Sequence, residues 1–437
     1  MTASSALLLF IVAFMGLAIL LKMPVSYALG TASLLVFAAS KMNTVTLAQV
    51  SFSALDSFAF LAIPFYIYAG TLMEHVGISR MLISWIQSFV GRIRGALGII
   101  CVLACMAFGV LTGSAMATIS AIGKIMAPEM IKENYPRPYI SAMLAATSFL
   151  GILIPPSVPG IMYALSSGLK ISEVWMVTVG PAFIFAFGYF IVNYFRVGRF
   201  ETKKERERVA LSKRIKDKGI HTIRAFPALL MPLIIYGSIY GGICTPTEAG
   251  ALSAVYGIIY YIVLWFVKRE KITMSFSKIA AVSGASTAVI GLLNVYSGVA
   301  GKAITLAGVS NYLSSLIISN IESRTLFLIL INVLFLFMGT FMDINATILI
   351  MTPLLLPVAL HFNVTAIHFG AILLINMCVG FLTPPFAAGI FVSTKIAGAS
   401  FSETVKESLP FLAVGLVAIV ITTCFPGFLM FFVNLLN

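Results

Sequence analysis

Two stretches of this chain place proline pairs inside long apolar runs. Residues 151–160 read GILIPPSVPG, and residues 379–385 read VGFLTPP. A proline lacks the backbone N–H and blocks the regular helical bond pattern, so each stretch frees carbonyl oxygens partway along an apolar segment. Such backbone survives at membrane depth only where it is buried in protein or lines a cavity. Freed carbonyls are hard oxygen ligands for a small cation, and the N-termini of half-helices beyond a break attract an anion. A kink in a scaffold helix is the alternative for one such stretch. Two of them, each beside a polar and breaker-rich tip (LTGS at 111–114, GTFMD at 339–343), favour a binding site.

Side chains nearby would add oxygens: Ser114, Thr147, Ser148, Ser157, Asp343, Asn345, Thr347, Asn376 and Thr383. Asp343 stands out, because a carboxylate in the hydrocarbon region costs about 2.5–3.5 kcal/mol on insertion scales and should find a partner. It is read either as a cation ligand or as a tip residue open to water. Most of these oxygens are carbonyls and hydroxyls, which do not titrate, so sodium is favoured over protons as the coupled ion. An anionic substrate is expected between the two tips, against Ser114, Ser157, Pro159, Asp343, Asn376 and Thr383. No arginine lies there: Arg137 and Arg324 sit at segment ends, and Lys124 and Lys395 are the deep cations nearest in sequence. Neutral donors, helix N-termini and bound Na+ would therefore meet the anion. Glu248, following Pro246 at a helix start, is open to a dipole-complementing or a functional role. The five cysteines show no metal-ligand spacing and are expected as small core residues. There is no Walker pattern, so an ion gradient rather than ATP is the expected energy source.

The elements that must position these residues are membrane helices. Only 10% of the 437 residues are charged and 60% are hydrophobic, with a mean hydropathy of +1.05. Soluble domains carry about 25% charged residues, so soluble enzymes and nucleic-acid-binding proteins are excluded. Long unbroken apolar runs also speak against a β-barrel. Apolar segments fall at 5–21, 24–40, 55–74, 95–130, 139–168, 172–195, 226–241, 245–267, 281–301, 325–360, 365–398 and 409–436. Amphipathic stretches at 78–90 (Met81, Leu82, Trp85, Ile86, Phe89) and 309–321 (Leu313, Leu316, Ile317) are expected to lie along the bilayer surface.

The chain repeats itself. Shifting it by 229 positions lays 109–168 over 338–397 with eleven identities, among them Pro128/Pro357, Pro155/Pro384, Pro156/Pro385, Gly151/Gly380 and Gly160/Gly389. The runs 95–130 and 325–360 are each split by a polar tip and are taken as re-entrant hairpins. About ten crossings then remain, an odd number per copy, so the copies are inverted. Eleven of the 28 basic residues lie between Arg196 and Arg224, which puts that loop on the cytoplasmic side and both termini on the other. The expected organisation is a first repeat over 1–195 (hairpin 95–130, interrupted helix 139–168), a basic cytoplasmic linker over 196–225, and a second repeat over 226–437 (hairpin 325–360, interrupted helix 365–398). Inverted repeats with interrupted helices mark secondary transporters.

At these residues the sequence resembles the large membrane (M) subunit of tripartite ATP-independent periplasmic (TRAP) transporters over essentially its whole length. The carrying stretches are 61–65 (LAIPF), 113–114, 128–130, 151–160, 242–249 (GICTPTEA), 339–343, 352–357 and 383–385. The resemblance implies an all-α, elevator-type transporter, with two hairpins and two interrupted helices moving against a scaffold. It implies a small four-helix membrane (Q) subunit, a periplasmic substrate-binding (P) protein, and a small organic acid as cargo: a dicarboxylate, sialic acid or another sugar or keto acid. It places sodium at Gly113 and Ser114 with Pro155, Pro156 and Ser157, and at Met342 and Asp343 with Thr383, Pro384 and Pro385. The alternative is a stand-alone ion-coupled organic-anion symporter or antiporter that needs no binding protein. Neighbouring genes for the two partners would separate the two. A channel or inert scaffold fits the composition but not the paired breaks.

Overall fold

A computed structural model of the chain describes residues 2–21, 23–91, 93–198, 211–267 and 272–435. All regular elements among them are helical, as expected where the backbone must satisfy itself without water. Among the described residues, seven helices are long and apolar enough to cross a bilayer alone. Two further pairs do so as bent units: Val45–Leu55 with Phe58–His75, at 50°, and Arg137–Leu153 with Val158–Ser167, at 45°. Shorter apolar helices, including Ala3–Ala18, Ser26–Ala39 and Ala366–Gly380, fill out the bundle.

The two hairpins are Ala96–Thr112 with Ala115–Lys132, and Arg324–Phe341 with Ile344–His361. Both arms of the second are long enough to span on their own. Each second arm closes on an asparagine in the left-handed region, Asn134 (φ 63°) and Asn363 (φ 54°), a conformation asparagine tolerates better than most residues. Those two positions are 229 apart.

The interrupted helices are Arg137–Ser148 continuing through Leu150–Leu153 to Val158–Ser167, and Ala366–Gly380 followed by Ala388–Ala397. Their far halves cross over. Val158–Ser167 packs on the second hairpin's arm Ile344–His361, while Ala388–Ala397 packs on Ala115–Lys132 and Arg137–Ser148. A buried Ser141–Ser393 hydroxyl pair at 2.8 Å and the Tyr163 hydroxyl on the Ala366 carbonyl tie the two halves.

Five stretches differ from the sequence expectation. The segment read as 55–74 is preceded by a helix, Thr44–Leu55, that turns at Asp56 and Ser57. The last segment starts earlier, as Phe401–Cys424, and restarts as Pro426–Asn434, because Pro426 can only open a helix there. In the linker, 199–210 lies outside the described residues, but Leu211–Tyr240 is one helix that carries the linker's end directly into a span. The amphipathic helix Ile78–Val90 buries Ile78, Leu82, Ile83 and Ile86, packs Met81 and Trp85 against the core and leaves Phe89 exposed, and Trp85 reaches Thr222 Oγ1 at 3.2 Å. Val309–Asn320 buries only Val309.

Candidate functional site

At the first tip, Gly113 ends one arm with φ 57° and Ser114 caps the next, its Oγ accepting from the Ala117 N–H at 3.5 Å. A Cβ on Gly113 would meet the Pro156 carbonyl at 2.7 Å and Ser157 Cα at 3.2 Å, so only glycine lets this tip seat on the first break. Further down the arm, a Cβ on Gly109 would lie 2.2 Å from Gly151 Cα. The structure thus brings Gly113, Pro156 and Ser157 together.

The first break is buried throughout, and its carbonyls are largely claimed by neighbouring side chains. Thr178 Oγ1 donates to Leu153 O at 2.7 Å, Tyr236 Oη to Pro155 O at 2.5 Å, and Trp175 Nε1 to Ser157 O at 3.1 Å. Ser157 caps the half-helix beyond, its Oγ accepting from the Gly160 N–H at 3.1 Å, with Pro159 buried in the first turn. Thr147 and Ser148 bond back to Met143 O and Ala145 O, and Thr147 Oγ1 also meets Cys105 Sγ at 3.3 Å.

The second half is built alike but held differently. Met342 is extended, and Asp343 caps Ile344–His361, its Oδ1 accepting from the Asn345 and Ala346 N–H groups at 2.9 and 3.3 Å. The hairpin arm again closes on the broken helix through glycines: a Cβ on Gly380 would lie 2.5 Å from Gly339 Cα. The Pro384–Pro385 peptide is cis, as is Pro155–Pro156. Here, however, the bonds shown at the break are made within its own segment. Thr383 Oγ1 donates to Val379 O at 2.8 Å, and the Gly389 N–H donates to Phe381 O at 3.1 Å. Ala387, not a hydroxyl residue, stands before the half-helix with φ 42°. Pro385 and Phe386 are exposed.

Of the candidate residues, Asp343 is exposed and serves its own helix. Asn376 points away from the tip: its Nδ2 donates to Asn332 Oδ1 at 2.7 Å and to Ile372 O at 2.8 Å, and Thr423 Oγ1 joins Asn332 at 3.2 Å. Asn376 Oδ1 and Asn345 Oδ1 are buried with no hydrogen-bond partner among the described residues. Glu248 forms a capping box with Thr245, whose N–H and Oγ1 donate to its Oε2 at 2.8 and 2.9 Å. Thr178, Trp175 and Tyr236 were not anticipated. The available signal was a set of polar-tipped side chains within apolar runs, which seek partners when buried.

Paired hairpins closing on paired broken helices define an integral membrane protein of the transporter class. The chain matches, over residues 10–428, the family described as "Tripartite ATP-independent periplasmic transporter, DctM component". It belongs to that family, the large membrane subunits of TRAP transporters. It is 33% identical over 425 residues to the isethionate TRAP transporter permease protein DctMQ of Oleidesulfovibrio alaskensis, covering 96% of this chain and 65% of that one. It is 32% identical over 398 residues to the C4-dicarboxylate TRAP transporter large permease protein DctM of Pseudomonas aeruginosa, covering 91% of each. It is 30% identical over 415 residues to the sialic acid TRAP transporter permease protein SiaT of Haemophilus influenzae, covering 94% of this chain and 66% of that one. Among solved structures, Neisseria gonorrhoeae MtrF (TM-score 0.59, 87% of this chain and 84% of that one) and the Alcanivorax borkumensis YdaH transporter (0.56, 85% and 86%) share the fold at 12% identity.

Proposed function

We propose that this chain carries a small organic acid across the bacterial inner membrane, coupled to Na+, by moving its hairpins and broken helices as a unit against the remaining helices. The observation that carries this is the pair of Pro-Pro helix breaks, 229 residues apart, each closed by a hairpin through a glycine–glycine contact. Such a pair supports two repeats, 1–195 and 226–437; their inversion, with both termini periplasmic, rests on the crossing count and on the basic residues of the 196–225 linker being cytoplasmic. Ser114 with Ser157, and Asp343 with Thr383, stand as the side-chain oxygens for sodium and for the carboxylate. Relatives named for isethionate, C4-dicarboxylates and sialic acid support a small anion as cargo. A four-helix (Q) subunit and a periplasmic (P) protein would complete the system, as the fused name DctMQ suggests.

Uptake into proteoliposomes tests the coupling and the need for both partners. Accumulation should need an inward Na+ gradient, the small subunit and the binding protein. Full uptake without the binding protein would refute the tripartite assignment, and equal uptake on a proton gradient without sodium would refute the coupling.

A further inference from the structure

The two breaks are gripped differently. The second makes its bonds within its own segment, whereas the first is held from outside by helix Leu211–Tyr240, through the Tyr236 hydroxyl on the Pro155 carbonyl. One turn further along that helix, Tyr240 stacks on Tyr236, with ring centroids 6.1 Å apart and planes within 20°. The Tyr240 hydroxyl is buried and has no hydrogen-bond partner among the described residues. Burying a hydroxyl without a partner is costly, and a four-residue step advances a helix by about 6 Å. Tyr240 therefore offers the same donor as Tyr236, displaced along the axis by one turn and unused.

The geometry points to two rungs for one carbonyl. Taking the sliding motion proposed above as given, the Pro155 oxygen is handed from Tyr236 to Tyr240 as the moving unit advances one turn along Leu211–Tyr240. The present structure holds the Tyr236 rung. One-turn jumps of one packed element past another are an established form of switching. Both tyrosines are positioning residues, since they act through a backbone carbonyl of the break. Other contacts hold the same position: Gln87 Nε2 donates to Glu129 Oε2 at 2.9 Å between Ile78–Val90 and the first hairpin, and Gly70 lies against the Leu111 carbonyl, where a Cβ would come within 2.6 Å.

The two hydroxyls should act with opposite sign. Removing one neutral hydrogen bond shifts a two-state equilibrium about two- to tenfold. Tyr236→Phe should depopulate the present position by that factor, and Tyr240→Phe should enrich it, because only the other position loses a bond. Cysteines at Gln87 and Glu129, in a full-length chain whose five native cysteines are replaced by alanine, report the occupancy. Their rate of cross-linking by a short bismaleimide, in membranes containing the whole transporter, measures the fraction in which those side chains meet. A slower rate in Tyr236→Phe with a faster one in Tyr240→Phe is the expected result. Shifts of the same sign, or no shift in Tyr240→Phe, would overturn the two-rung assignment. Uptake that persists after complete cross-linking, with both tyrosines intact, would instead overturn the sliding motion itself.

Discussion

Gly109→Ala puts one methyl group where two backbones meet. The new Cβ would lie 2.2 Å from Gly151 Cα and 3.1 Å from Gly151 C, against 3.4–4 Å for ordinary contact. The arm Ala96–Thr112 and the broken helix must then part by about 1 Å, and neither side of the contact is a flexible chain end. Overpacking of this kind costs about 1–3 kcal/mol. Alanine also favours a helix interior over glycine by about 1 kcal/mol, so the raw change in stability understates the clash. Gly284→Ala supplies the correction, because it sits inside Phe276–Leu306 with nothing within 4 Å. The difference between the two variants isolates the contact and should be about 1–3 kcal/mol, with Gly109→Ala the less stable. Reversible unfolding in mixed micelles, titrated with a denaturing detergent, measures both. Uptake should fall in Gly109→Ala alone, since the displaced arm carries the tip that seats on Pro156. Equal stabilisation by the two substitutions would refute the close approach of hairpin and break.

Asp343 separates two roles by one pair of variants: loss of its capping bonds in Asp343→Ala should cost about 1 kcal/mol, which Asp343→Asn should largely recover. If the carboxylate also binds sodium, Asn will restore stability but not the sodium half-saturation of uptake; identical sodium dependence in all three proteins would exclude it as a ligand. The basic segment between Arg196 and Arg224 should be cytoplasmic, so a cysteine near Lys213 should react with an impermeant thiol reagent only in inverted vesicles. Labelling in intact spheroplasts would contradict the inverted arrangement.

Breakers carried most of what the sequence revealed. Pro155, Pro156, Pro384 and Pro385 located both breaks, and Gly113 with Ser114, and Asp343, located the tips, because each removes or supplies a backbone bond by its chemical nature. The grip on the first break was illegible. Thr178, Trp175 and Tyr236 sit in apolar runs whose periodicity says only that a helix is there, and which carbonyl each reaches depends on packing across distant segments. Thr44–Leu55 was missed for a related reason: Thr46, Gln49, Ser51 and Ser53 dilute its apolar signal, while its hinge at Asp56 joins it to the span that follows. Asn376 is expected at the site as one of the polar side chains near the second break. Its side chain turns the other way, toward Asn332, as a buried amide must do when a partner lies on that face.

The crossed packing of the two broken helices also has a schedule. Val158–Ser167 rests on Ile344–His361, which leaves the ribosome roughly 190 residues later, or about ten to forty seconds at about 5–20 residues per second. Throughout that interval the first broken helix must enter the bilayer without the surface that later covers it. Its unwound turn, however, is already provided for. Thr178 and Trp175 emerge about 20 residues behind the carbonyls they bind, and Tyr236 about 80 residues behind Pro155. The second break needs no such escort, because Ala388–Ala397 finds Ala115–Lys132 and Arg137–Ser148 waiting when it arrives. Order of synthesis thus assigns the two halves unequal tasks during biogenesis, the earlier one bonded by its immediate successors and the later one received by a finished template.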